Sequence, residues 1–117
     1  MKIKDYKDLQ IWQKGIDIVD KIYALSDSFP KVELYGLSSQ MKKASVSIPS
    51  NIAEGFARNH SKEYKQFLYI ALGSCAELDT QIIIANRRGY IKNNDLEVLA
   101  DQINHESRMI SSLINKL

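Results

Sequence analysis

Apolar residues recur along this chain at steps of three and four, in four segments, and nowhere in the strict alternation of a half-buried strand. In the first segment Leu9, Trp12, Ile16, Val19 and Tyr23 fall on one helical face, and Ile11, Ile18, Ile22 and Leu25 on a neighbouring one, which predicts a helix over 8–27. Phe29-Pro30 closes it, because the residue before a proline is pushed out of helical geometry. Leu34, Leu37, Met41, Ala44, Ile48, Ile52 and Phe56 predict a second helix over 34–57, ended by Gly55 and the Arg58-Asn59-His60 segment. Ser61 reads as the N-cap of a third helix over 61–88. Its stripe is Tyr64, Phe67, Leu68, Ala71, Cys75, Leu78, Ile82 and Ala85, with Arg87 and Arg88 at the negative end of its dipole and Gly89 as its stop. Asn94-Asp95-Leu96-Glu97 reads as a capping box opening a fourth helix that runs to the terminus, with Leu96, Leu99, Ala100, Ile103, Ile110, Leu113, Ile114 and Leu117 facing inward. Short connections between long helices favour an all-α, antiparallel up-down four-helix bundle, and 117 residues suffice for one such domain, 1–117.

Three irregularities stand out against this pattern. Pro49 inside the second helix removes a backbone donor and crowds the carbonyl of Ser45, which predicts a kink there, with Ser45 or Ser50 available to bond the freed groups. Gly73 inside the third helix costs about 1 kcal/mol against alanine, which makes sense if another backbone passes close by. The two apolar faces of the first helix, and Ile70, Ile83 and Ile84 outside the main stripe of the third, exceed what one bundle face needs. They read either as a wide core face or as a surface buried between subunits.

Charge changes the picture little. The net charge is +2, divided as +2 over 1–7, −2 over 8–29, +2 over 37–60, +1 over 61–88 and −1 over 92–117. This is milder than the footprint of a dedicated nucleic-acid binder. One cysteine excludes an internal disulfide and fits a reducing cytoplasm. The charged N-terminus carries no apolar run of a signal peptide, and no apolar stretch is expected to approach the ~20 residues of a membrane span.

Candidate chemistry is sparse. Cys75 lies on an apolar stripe and reads as core. His60 and His105 lack partners at metal-ligand spacing, and neither a Glu-x-x-His pair nor a phosphate-cradling glycine loop is present. The reading is therefore non-enzymatic, with no catalytic residue, metal or cofactor. Gln40, Lys43, Ser47, Asn51 (or Ser50), Glu54 and Arg58 share one face of the second helix. They form either a solvated surface, with Glu54 and Arg58 as an i,i+4 pair contributing ~0.3–0.5 kcal/mol, or a polar seam at a subunit contact or channel. Glu77 on the third helix, beside Ile70, Gly73 and Ile84, reads as a half-buried, hydrogen-bonded structural carboxylate. Lys42, Lys43, Arg58, Lys62 and Lys65 cluster in sequence toward one end of the bundle, as a solvated charge run or a phosphate-contacting patch. No aromatic interleaving points to base stacking, so contact with the nucleic-acid backbone, with little sequence preference, is expected.

The runs Tyr35-Gly36-Leu37-Ser38-Ser39-Gln40 and Lys43 to Gly55, the later run Ala71 to Leu78 and the turn Arg88-Gly89-Tyr90-Ile91 resemble the 23S ribosomal RNA intervening-sequence protein family. The resemblance covers almost the whole chain. It implies a four-helix bundle assembled as a homo-oligomeric ring of five around a central channel. Gln40, Ser47, Asn51, Glu54 and Gly55 are the positions that match the family motif, and Glu77 belongs to the matching run on the third helix. Some relatives serve as accessory factors to reverse transcriptases in diversity-generating retroelements. The resemblance therefore implies RNA or a nucleic-acid-handling protein as partner, with a scaffold oligomer lacking any nucleic-acid role as the alternative. No membrane and no small-molecule substrate is implied.

Overall fold

The computed structural model describes residues 3–117. Four α-helices make up the described chain: α1 (Gln10–Ser26), α2 (Leu37–Ala57), α3 (Ser61–Arg87) and α4 (Asn93–Lys116), with single 3₁₀ turns at Tyr6–Asp8 and Lys31–Glu33. Each helix packs against its sequence neighbours, and α4 closes back onto α1, as an up-down bundle requires. At 1.5 Å per residue α3 is about 40 Å long, close to the 44 Å long axis of the molecule.

The core forms where the predicted stripes meet. Ile11, Ile18 and Ile22 of α1, Met41, Ile48 and Ile52 of α2, Leu68, Cys75, Leu78 and Ile82 of α3, and Leu99, Ile103 and Ile110 of α4 are buried together. On α1 it is therefore the face of Ile11, Ile18 and Ile22 that fills the centre. Leu9 and Trp12 pack partly buried against the core, and Tyr23 stays 42% exposed. By length and composition α3 alone among the described helices is long and apolar enough to cross a membrane, contrary to the expectation that no stretch approaches that length. It sits here as one wall of the bundle, with Leu68, Ala71, Leu78 and Ile82 turned into the core.

Several helix ends differ from expectation. The N-cap of α3 is His60, Ser61 being its first helical residue, and the N-cap of α4 is Lys92, so neither the Ser61 cap nor the Asn94 capping box forms. The α3–α4 turn is pinned instead by Asn86, whose amide donates to the Ile91 carbonyl and to Asn93 Oδ1, both at 2.9 Å, while Gly89 takes the left-handed φ of +80° that the turn needs. The N-terminus of α2 is closed from outside the helix. Glu33 accepts from the Leu37 N–H (3.1 Å) with one carboxylate oxygen and from the Tyr90 hydroxyl (3.0 Å) with the other. Gly36 permits this, since a Cβ there would lie 2.8 Å from Glu33 Oε1.

Pro49 is buried and does not interrupt α2, which is helical from Leu37 to Ala57. The Ser45 hydroxyl donates to the Lys42 carbonyl (2.9 Å), and it is Asn51, not Ser50, whose side chain bonds the backbone below the proline, at the Ser47 carbonyl (2.7 Å).

Candidate functional site

The polar line on α2 splits into three parts. Ser47 and Asn51 turn toward α3 and build a half-buried seam. The Ser47 and Ser74 hydroxyls are 2.8 Å apart, and the Asn51 amide donates to Ser47 Oγ at 2.9 Å. Ser74, which sequence reasoning passed over, completes the seam and also donates to the Ile70 carbonyl (3.2 Å). Its position beside Cys75, one turn after Ile70 on α3, was the available signal. At the far end of α2, Glu54 and Arg58 form the expected exposed ion pair at 3.0 Å, with the guanidinium also lying 5.1 Å from the centre of the Phe67 ring. Gln40, at the near end, is exposed and stands apart from both.

Glu77 is exposed rather than half-buried, stands apart from the seam, and accepts one long contact of 3.4 Å from Gln81 Nε2. The buried carboxylate of this bundle is Glu106 on α4. It is fully buried, and neither of its oxygens has a hydrogen-bond partner. Its Oε2 would lie 3.2 Å from a Cβ at Gly15, and Pro49 meets the same point at 3.4 Å, so the carboxyl occupies a niche that a glycine on α1 and the proline on α2 leave open. Burial pushes its pKa up to about 8, with the exposed Lys14 offsetting part of the rise. The stripe Leu99, Ile103, Ile110 places position 106 on the inward face, so the spacing could have found it. Burial likewise pushes the Cys75 thiol up to about 11, which suits an inert core cysteine.

The five cations do not gather in one place. Arg58, Lys62 and Lys65 stand around the α2–α3 turn, where Asn59 takes a left-handed φ of 62°. Lys42 and Lys43 lie about 22 Å away up α2, at the 1.5 Å rise per residue of a helix. There they line an open groove of about 780 Å³ that runs over α2, with Tyr23 from α1 and Tyr35 from the α1–α2 connection on its walls. Its lining contains no acidic side chain. Lys42 Nζ sits 5.0 Å from the centre of the Tyr23 ring, a cation–π distance. The expectation of no aromatic interleaving is thus corrected. Folding brings Tyr23 of α1 beside Lys42, far from it in sequence, into the groove that Tyr35 also lines.

The outward face of α3 carries a third feature. Ile70, Gly73, Glu77, Thr80 and Ile84 follow one another at steps of three and four, flanked by Tyr69, Ala76 and Ile83, and all are exposed. A Cβ built at Gly73 meets nothing within 4 Å, so no backbone among the described residues makes the close approach that its glycine was expected to serve.

A family model described as 23S rRNA-intervening sequence protein matches residues 7–112. No curated protein matches the chain. Among solved structures, the bundle superposes on a protein with unknown function from the S23 ribosomal protein family of Bacteroides thetaiotaomicron. The TM-score is 0.82 at 20% identity, over 89% of this chain and 97% of the other, a likeness that concerns the fold alone. With nearly its whole length matched and four helices in the expected order, the chain belongs to the 23S rRNA-intervening sequence protein family.

Proposed function

We propose that this chain is a non-enzymatic, oligomeric interaction module that contacts RNA, or a protein handling nucleic acid, through a modest basic face. The observation that carries the reading is the division of labour between the outer faces of two helices. The outer face of α3 exposes Tyr69, Ile70, Ile83 and Ile84 on either side of Glu77 and Thr80, unpartnered among the described residues. The outer side of α2 presents Lys42 and Lys43 without an acidic neighbour in their groove. Self-association through α3 would cover the first and repeat the second around the assembly, which multiplies weak phosphate contacts. A ring of five rests on the family resemblance. The exposed α3 face also favours, by itself, the second reading of a scaffold oligomer with no nucleic-acid role.

A salt titration of RNA binding distinguishes the two. Each phosphate contact should contribute a log–log slope of about −0.7 on a single strand. Lys43→Ala should flatten that slope, and Arg58→Ala should flatten it less, because Glu54 already holds the guanidinium. Absence of binding to any RNA at about 50 mM salt, where backbone attraction is strong, would leave the scaffold reading.

A further inference from the structure

We propose that the groove formed by Tyr23, Tyr35, Lys42 and Lys43 binds single-stranded RNA by stacking bases on the two tyrosines while the lysines hold the phosphates. The inference rests on the reading above and names the form of nucleic acid and the groups that recognise it. Its first ground is exposure. Tyr35 is 93% exposed in the connection between α1 and α2, and Tyr23 is 42% exposed at the C-terminal part of α1. Neither ring belongs to the buried core, so both present aromatic surface to a ligand, Tyr35 almost all of its area and Tyr23 the part left beside the Lys42 ammonium.

Its second ground is composition. The groove combines aromatic rings, two ammonium groups and the hydroxyl groups of Ser39 and Ser50. Asp20 and Asp27, the nearby acidic residues of the α1 end, lie outside the lining. An anion is therefore favoured, and an anion with flat apolar faces uses every part of the site. A single strand supplies phosphates and unstacked bases together, and stacking on aromatic rings tolerates any sequence. A duplex hides its base faces, so the tyrosines would have nothing to stack on.

The third ground is reach. From Ser39 to Asn51 the groove follows α2 for about 18 Å at the rise of a helix. That is long enough for an extended strand to meet more than one anchor. Lys42 covers the Tyr23 ring at 5.0 Å, so a base stacking there takes the place of the ammonium, which swings to the adjoining phosphate.

The test compares a short single-stranded uridine-rich RNA, the same RNA annealed as a duplex, and a strand of matched charge with abasic sugars, each binding to the full chain. The single strand should bind most tightly. Tyr35→Ala should weaken it by about five- to 150-fold, the range for loss of one base–aromatic stack, and leave the abasic strand unchanged. Tyr35→Trp should restore it. Since Tyr35 is almost wholly exposed, the variant keeps the bundle intact, and Tyr23→Ala provides the second, independent site. Equal affinity for all three ligands, unmoved by Tyr35→Ala, would overturn base stacking while leaving backbone contact in place. Binding to none of them would remove both this inference and the reading beneath it. A change of oligomer mass in Tyr35→Ala would show the groove to be a contact between copies, and would also overturn the inference.

Discussion

Glu106 is the residue on which the stability of this bundle turns with pH. A carboxyl without hydrogen-bond partners in an apolar centre is held as the neutral acid, because the charged form would be desolvated without compensation. Its folded-state pKa of about 8 lies above the ordinary carboxylate range of the unfolded chain. Between those two values the folded protein keeps a proton that the unfolded protein has released. Unfolding then liberates a proton, and stability falls as pH rises, by about 1.4 kcal/mol per pH unit. The contribution is complete below the ordinary carboxylate range, and the loss levels off above about 8, where the folded carboxyl ionises too. Denaturant melts of the wild type from about pH 5 to about pH 9 should show this decline. Glu106→Gln should flatten the decline and be the more stable protein at neutral pH. A wild type as flat as the glutamine variant would place Glu106 in a solvated or hydrogen-bonded environment.

At the scale of the elements, the tightest contact joins α2 and α3. A Cβ at Gly55 would stand 2.7 Å from Phe67 Cβ, 3.0 Å from the Tyr64 ring and 3.3 Å from the Tyr64 carbonyl. Gly55→Ala should therefore destabilise the bundle by about 1–3 kcal/mol, the cost of overpacking. This happens even though alanine favours an isolated helix by about 1 kcal/mol over glycine. Circular dichroism melts check both the sign and the size. The four helices were legible in the chain because each is a three-four stripe between strong breaks, at Phe29-Pro30, at the 58–60 turn and at Gly89. Their caps were not. Ser61 and Asn94 have the residue types that cap but do not cap, while Glu33 with Tyr90 closes the start of α2 and Asn86 pins the α3–α4 turn through contacts set by tertiary folding. The same limit hid the groove. Tyr23 and Lys42 become neighbours only when α1 and α2 fold antiparallel, whereas the Ser47–Asn51 step lies within one helix and was visible as a polar line.

For the whole molecule, the outward face of α3 decides the account. Ile70, Gly73, Ile83 and Ile84, with Tyr69 beside them and Glu77 and Thr80 between, are exposed among the described residues. Gly73 has room for a side chain in the single subunit, so Gly73→Ala should stabilise an isolated bundle by about 1 kcal/mol through helix propensity alone. If a second copy packs closely on α3, the same change should weaken association, visible as an oligomer that dissociates at higher protein concentration. The central claim, that α3 is a subunit contact, is tested most directly by light scattering of the size-exclusion peak at micromolar concentration. The account predicts a mass that is a multiple of the 13.4 kDa subunit, returned to 13.4 kDa with helicity retained by the double change Ile70→Glu and Ile84→Glu. A wild-type mass of 13.4 kDa would contradict it.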